Sequence, residues 1–301
     1  MPWGCHDVSA LGDGAPPTGA APLLAGFAGR RCGRACHWER QRSRRADPGP
    51  ELRPQARALA SELYARWRAA GIVAAVRINP LEREGYADLA AVMGGRPDIV
   101  VMSKVADPQQ VAALDREVSR LEHALAVPAG STELAPNVET ARGIVEAFAI
   151  AKASPRVTGV LGSTEDMAAD LGAPRSKAGI ELAYARQRLH FECTAANVLS
   201  VDGPYTFADL AGCENDARYA RQLGYVAKSA VNADHVATIN RVLTPSHGEV
   251  AEARAVVAAF EAARAAGKER GRLGDLMIEV PTYLNAQRLL ARAAALGVEG
   301  A

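Results

Sequence analysis

Ile72-Val73-Ala74-Ala75-Val76-Arg77-Ile78-Asn79 and Asp98-Ile99-Val100-Val101-Met102-Ser103-Lys104 decide the fold of this chain. Each is a short run rich in β-branched apolar residues that closes on polar or charged ones. Unbroken apolar character over so few residues is what a strand buried on both faces requires, and such strands belong to parallel sheets. Residues 85–93 between the runs have helical spacing, so the unit is strand, helix, strand. A helix between two parallel strands makes a right-handed crossover.

Working outward, the unit repeats. A helix is predicted over 107–126, a strand near 133–139, a helix over 141–153 and a strand over 157–162. Helix 176–190 precedes strand 196–201, and helix 209–222 precedes strand 225–231. Upstream, residues 53–69 read as an amphipathic helix; downstream, Ala-rich helices near 248–267 and 283–296 close the chain. So even a run suits a (β/α)₈ TIM barrel, an α/β fold of eight strands and about 250 residues. Six strands are legible between 72 and 231. The first two are poorly represented, since Leu23-Leu24-Ala25-Gly26-Phe27 is the one apolar run ahead of them. The expected organisation is an atypical N-terminal segment over 1–52, a barrel core over 53–245 and a helical C-terminal lid over 246–301.

The first segment differs in character from the rest. Between Arg30 and Arg57 stand nine arginines against three acids, with no apolar stripe, which reads as solvated chain. A basic nucleic-acid arm is the alternative reading, but few aromatics interleave the arginines. A shifted reading frame over residues 1 to about 49 would produce the same abrupt change, and translating the coding DNA in all three frames separates that from a divergent N-terminus. Globally the chain carries a formal net charge of +1 with 23% charged residues, so nothing points to nucleic acid. No eighteen-residue apolar run and no basic start followed by an apolar stretch is present, so neither a membrane span nor a secretory leader is expected. The five cysteines read as reduced thiols of a cytoplasmic protein. Cys32 and Cys36 lack the second pair that a zinc site needs, and the haem-attachment spacing is wrong. Cys193 and Cys213 read as small core residues.

Barrel enzymes place their chemistry just past the C-terminal ends of the strands. Those ends read Arg77-Ile78-Asn79, Ser103-Lys104, Val138-Glu139-Thr140, Gly162-Ser163-Thr164-Glu165-Asp166, Val201-Asp202-Gly203 and Ala227-Lys228. Glu139 and Asp166 end neighbouring strands, and two carboxylates completed by water and substrate oxygens suit Mg²⁺. Arg77 is a fixed fork able to pair with a substrate carboxylate. A metal holding a 2-oxo acid beside a cation is a site for aldol-type cleavage or formation. Local roles compete with this reading. Glu139 also suits the dipole of the following helix, and Asp166 suits an N-cap of a short helix over 167–171. His235 reads as a helix-start residue.

Val-Arg-Ile-Asn (76–79), Pro-Asn-Val-Glu-Thr (136–140), Gly-Ser-Thr-Glu-Asp-Met-Ala-Ala-Asp-Leu-Gly (162–172) and Leu-Gly-Tyr-Val-Ala-Lys (223–228) stand in an order that resembles the HpcH/HpaI aldolase and citrate lyase β-subunit family. Thr-Pro-Ser (244–246) followed by Glu249, and Gly274-Asp275-Leu276-Met277-Ile278-Glu279-Val280-Pro281, extend the match over about 72–297. The resemblance implies a barrel assembled as a homotrimer or dimer of trimers. It implies that Arg77 binds the oxo acid's carboxylate, that Glu139 and Asp166 ligate Mg²⁺, and that Gly162, Ser163 and Glu165 help bind the same substrate. Glu279 would sit on a lid near a neighbouring subunit's site as a general acid/base. The implied reaction splits or forms citryl-, malyl- or citramalyl-CoA, giving an acyl-CoA and a 2-oxo acid; some relatives are thioesterases or CoA-independent aldolases.

The departures keep a second class open. Ala56-Arg57 fits the family, but Arg42-Ser43-Arg44-Arg45-Ala46-Asp47 stands where relatives carry an acidic strand end. Lys104 follows Ser103 where the family has Pro, and Val231-Asn232-Ala233-Asp234-His235 replaces a motif near the CoA side. A non-catalytic or defective member with an incomplete barrel is therefore the alternative to an active Mg²⁺-dependent lyase.

Overall fold

The computed structural model describes residues 62–69 and 71–298. The arginine-rich segment, the cysteines at 5, 32 and 36, the positions expected for the first two barrel strands and the start of the expected 53–69 helix lie outside the described residues. Residues 62–69 form helix α1, which seats fully buried Tyr64 in the core with Trp67 beside it, ring centroids 5.9 Å apart.

Strands β1 (Ala75–Ile78), β2 (Ile99–Met102), β3 (Glu133–Val138), β4 (Gly159–Gly162), β5 (Leu199–Tyr205) and β6 (Ala227–Ala230) are the six legible runs. They pair in chain order and all in parallel. The unbroken order separates this sheet from a doubly wound one, whose strand order reverses at a switch point. Side chains from all six strands pack on one face: Ala75, Ile99, Val101, Ala135, Leu161, Val201 and Ala227 form a single cluster. One apolar cluster drawing on all six strands marks that face as the concave side of a curled, half-barrel sheet. The opposite face, with Val76, Ile78, Val100, Met102, Leu134, Val138 and Val160, packs against the returning helices. Alternate residues of each strand thus serve two cores, which is why the runs are apolar without alternation.

The returning helices are α2 (Tyr86–Val92), α3 (Pro108–Ala124), α4 (Ala141–Val145), α5 (Ala147–Lys152), α6 (Glu165–Asp170), α7 (Ala183–Ala196) and α8 (Leu210–Leu223). Asp107 starts α3 with a capping box completed by Gln110. The predicted helix over 141–153 is broken at Glu146, whose backbone (φ −92°, ψ 5°) leaves helical geometry. Gly143 lies in its first turn because a Cβ there would stand 2.7 Å from the Val105 carbonyl and 2.8 Å from Val138 Cγ1. Below the sheet, Arg156 joins Asp115 (2.8 Å) and fully buried Glu122 (2.6 Å), and Glu122 accepts from the backbone of Gly130 and Thr132. That brace anchors the loop entering β3.

Beyond β6 the structure holds more than two helices. Helix α9 (His235–Leu243) packs on α8 through Cys213, Ala217, Val236 and Ile239. Helices α10 (His247–Ala265) and α11 (Val280–Ala295) enclose an antiparallel hairpin of β7 (Gly271–Leu273) and β8 (Leu276–Ile278). Three-residue strands carry too little pattern to be legible in sequence. This unit has its own core of Ala253, Val256, Phe260, Ile278 and Ala286, with Phe260 stacked on Tyr283 at 4.7 Å. Arg292 donates to the Val226 and Leu243 carbonyls and so ties the unit to the sheet. No described helix is long and apolar enough to cross a membrane.

Candidate active site

Side chains two residues apart on a strand share a face. Moving up the concave face from the apolar cluster therefore leads to Arg77, Ser103, Asn137, Glu139, Ser163, Gly203 and Ser229. The floor is apolar and the rim polar, so the mouth at the C-terminal strand ends is where a polar substrate can be held above a dry base.

Glu139 and Asp166 lie there on the ends of neighbouring strands, with one ammonium between them. Glu139 is 3% exposed at the end of β3, whereas Asp166 is half-exposed in the first turn of α6. Asp166 does not cap that helix; Thr164 holds the N-cap position. Lys104, from the end of β2, sends its Nζ to 2.8 Å from Asp166 Oδ1 and 4.0 Å from Glu139 Oε2. Asn137 Nδ2 donates to Glu139 Oε1 at 2.6 Å. Burial pushes the Glu139 carboxyl up to about 7, reinforced by the Asp166 charge and opposed by Arg77 and Lys104. Arg77 is thus electrostatically coupled to the pair from β1. Its neighbour Asn79 is held by Asp88, whose Oδ2 accepts from the Asn79 backbone (3.0 Å) and amide (2.9 Å).

The donor set fits a hard cation. It offers two carboxylates on adjacent strand ends, and the Asn137 Oδ1 is buried with no hydrogen-bond partner. Oxygen-only ligation suits Mg²⁺ rather than a soft metal. No cluster of three His, Cys, Asp or Glu side chains able to hold a metal exists among the described residues, so water and substrate oxygens would complete the shell. Lys104 stands among the strand-end residues read from sequence, but neither it nor Asn137 is given a role there. The signal for Asn137 is its i, i+2 relation to Glu139 on one strand; Lys104 reaches Asp166 only once folding sets the ends of β2 and β4 on either side of β3.

The remaining predicted positions divide. Ser163 stands at the rim, its backbone N–H donating to the Val138 carbonyl at 3.1 Å, with Gly162 beside it. The Glu165 carboxylate is engaged elsewhere, accepting from Arg175 Nε (2.9 Å) and Thr206 Oγ1 (2.5 Å), which leaves its backbone as the group nearest the rim. Glu279 is half-exposed on the C-terminal unit, 2.9 Å from Arg270, and no hydrogen bond or ion pair links it to Arg77, Glu139 or Asp166 among the described residues. Asp202 and Lys228, considered at sequence level as strand-end site candidates, face outward. Asp202 follows inward-facing Val201, and Lys228 follows inward-facing Ala227, so parity sends both side chains to the helices. There they join Arg186 and Asp216 in a buried ion cluster. His235 begins α9 and is buried, its Nε2 3.3 Å from the Ala208 carbonyl and its ring 5.8 Å from Tyr205. Cys193 and Cys213 are buried core residues, and burial pushes their thiols up to about 12 and about 11.

Arg175 pairs with Glu181 as well as Glu165, and Ser176 donates to Glu181 through both its backbone N–H (3.0 Å) and its Oγ (2.6 Å). Burial raises the Glu181 carboxyl, but these donors outweigh it and hold it down at about 2. A depressed carboxylate stabilises the fold above its ordinary range and loses that contribution as pH falls towards 2. Glu181→Gln is therefore expected to lower stability at pH 7 and to flatten the acid limb between about pH 4.5 and 2. Equal slopes for both proteins in acid titrations of urea midpoints would contradict this.

The family model for HpcH/HpaI aldolase/citrate lyase matches residues 47–233. The citrate lyase subunit beta of Escherichia coli K12 is 34% identical over 225 residues, covering 74% of each chain. An L-malyl-CoA/beta-methylmalyl-CoA lyase of Cereibacter sphaeroides is 33% identical over 230 residues, 67% of this chain and 71% of that one. Among solved structures, RipC from Yersinia pestis superposes with a TM-score of 0.58 at 30% identity, over 67% of this chain and 86% of its own. The CitE protein of Mycobacterium tuberculosis, solved with magnesium, acetoacetate and coenzyme A, shares the fold at a TM-score of 0.64 and 24% identity, over 82% and 86%. Fold, strand order and sequence identity agree: this chain belongs to the HpcH/HpaI aldolase/citrate lyase family.

Proposed function

We propose that this protein is a Mg²⁺-dependent carbon–carbon lyase that cleaves or forms a 3-hydroxyacyl-CoA of the citryl-, malyl- or citramalyl-CoA kind, yielding an acyl-CoA and a 2-oxo acid. The observation that carries this reading is the meeting of Arg77, Glu139 and Asp166 at one mouth. Relatives named as a citrate lyase subunit beta and an L-malyl-CoA/beta-methylmalyl-CoA lyase, at 34% and 33% identity, support the reaction class.

Glu139 and Asp166 would hold the ion, which when bound polarises the oxo acid's carbonyl. Arg77 pairs with the substrate carboxylate as a planar fork. The backbone over Gly162, Ser163 and Glu165 orients that acid against β4. The apolar layer of Ile99, Val101, Leu161 and Val201 beneath keeps water from the base of the site. Glu279 carries or accepts the proton at the reacting carbon, reaching a neighbouring copy's site from the C-terminal unit, which acts as a helical lid. A homotrimer or dimer of trimers would supply that neighbour. Exposed apolar side chains on adjacent outer helices support association: Val145, Phe148, Tyr184 and Phe191 are each between 44% and 74% exposed. In this reading residues 53–245 carry the core of a (β/α)₈ barrel whose first two strands are poorly represented in the sequence, and residues 1–52 are the atypical segment ahead of it. The enzyme works in the cytoplasm on CoA thioesters, with neither nucleic acid nor membrane as partner.

Lyase assays of the purified chain against citryl-, malyl- and citramalyl-CoA, with Mg²⁺ and with EDTA, test the proposal. Cleavage of one ester that stops in EDTA supports it and names the substrate. Silence against all three from a folded protein would overturn it in favour of a non-catalytic member of the family.

A further inference from the structure

We infer that Lys104 is a resident counter-cation of the carboxylate pair: its ammonium occupies the place a divalent cation takes between Asp166 and Glu139, and metal binding must displace it. The inference rests on the assignment of that pair as the metal ligands.

Geometry carries it. Lys104 Nζ lies 2.8 Å from Asp166 Oδ1 and 4.0 Å from Glu139 Oε2, so one ammonium bridges two strand ends. The other Glu139 oxygen is taken by Asn137 Nδ2 at 2.6 Å, which leaves Oε2 as the oxygen for a cation. Parity would send residue 104 to the helical face with Met102. Instead, Lys104 adopts a left-handed backbone with φ 56°, a conformation a lysine takes only when its surroundings impose it. That turn brings the side chain over the mouth. The side chain is 50% exposed and Asp166 46%, so the ammonium can leave for solvent without disturbing the core.

Charge accounting points the same way. Arg77 and Lys104 balance Glu139 and Asp166 when no metal is bound. A divalent cation balances the two carboxylates by itself and frees Arg77 for a substrate carboxylate. An ammonium left in place would meet the metal at like charge across a few ångströms, so the two cannot share the site. Lys104 therefore stabilises the metal-free protein, weakens metal binding, and sets the divalent-ion concentration at which the site fills.

Mn²⁺ is the probe. Its binding to the full chain is measured by calorimetry and by the loss of free-ion EPR signal, and thermal unfolding is followed in EDTA and in Mn²⁺. Wild type, Lys104→Gln, Lys104→Arg and Glu139→Gln are compared. Lys104→Asn serves as the second neutral variant, because asparagine accepts the left-handed backbone. The expected result is Mn²⁺ affinity about fivefold tighter in the neutral variants, the scale of an exposed ion pair. A lower midpoint in EDTA and a larger rise with Mn²⁺ should accompany it, while Lys104→Arg stays near wild type. Neutral variants that bind Mn²⁺ no tighter than wild type, while Glu139→Gln loses binding, would overturn this inference and leave the metal assignment standing. A wild type that binds no Mn²⁺ at millimolar concentration would overturn both.

Discussion

Glu139→Gln is expected to lower lyase kcat/KM by about a thousandfold while leaving the fold intact, the scale of removing one preorganised charge-stabilising group. Glutamine keeps the shape and an oxygen able to accept from Asn137 Nδ2, so the rim loses only its negative charge. That charge sits 3% exposed beside Asp166, and burial pushes the carboxyl up to about 7. A carboxylate raised above its ordinary value costs stability as pH rises from about 4.5 through about 7. In EDTA at pH 8 the variant should therefore unfold at the same temperature as wild type or higher. Activity and stability moving in opposite directions is the signature of a ligand retained for function. A variant within tenfold of wild-type kcat/KM would show that Glu139 does not hold the ion.

Lys228→Met is expected to cost about 3–5 kcal/mol, the usual penalty for removing one partner from a buried ion pair. Lys228 is fully buried, with Nζ 2.6 Å from Asp202 Oδ2, 2.5 Å from Asp216 Oδ2 and 2.5 Å from the Gly203 carbonyl. Arg186 closes the cluster with two bonds to Asp202 (2.9 and 2.7 Å) and one to Asp216 (2.7 Å). Its guanidinium lies over the Tyr219 ring at 4.8 Å, and Tyr225 Oη donates to the Arg186 carbonyl. Two cations thus balance two anions where water is excluded. Burial would push Asp216 up, but Lys228 and Arg186 together hold it below the usual carboxylate range. Losing Lys228 leaves one buried negative charge unbalanced, and a domain stable by about 5–15 kcal/mol retains little margin after such a loss. Adding Asp216→Asn restores neutrality and should recover part of the loss. Denaturant titrations of both variants decide the matter: a single variant within about 1 kcal/mol of wild type would mean that the cluster is solvated or rearranges.

Asp202 and Glu139 show why the fold was legible and part of the site was not. Both are acids at the end of an apolar run, and in sequence they look equivalent. In a strand buried on both faces, nothing local states which parity faces the concave mouth of the sheet. Glu139 shares the inner face with Ala135, whereas Asp202 lies one residue past inward-facing Val201 and meets Arg186 of α7. The partner that claims Asp202 is sixteen residues upstream on a helix, a relation that only folding reveals. Lys104 is the converse. Its parity points away from the mouth, and a left-handed residue at the strand end turns it back. The six strands themselves were readable because Val, Ile, Leu and Ala runs alternate with helical spacing. The β7–β8 hairpin was not, since its short strands are dominated by exposed residues: Arg272, Leu273, Leu276 and Met277 present no buried pattern. Lone Cys193 and Cys213, by contrast, read correctly from residue type, because a small apolar side chain between helix-spaced apolar neighbours is a core position.

The lyase reading stands or falls with the proposed divalent cation between Glu139 and Asp166 at the mouth of the sheet. Crystals of the protein grown with Mn²⁺, measured near the manganese absorption edge, test it most directly. One anomalous peak is expected between Glu139 Oε2 and an Asp166 carboxylate oxygen, at a coordination distance of about 2.0–2.2 Å, with Lys104 Nζ displaced from Asp166. An occupied manganese site elsewhere, with the Lys104–Asp166 pair still closed at 2.8 Å, would contradict it.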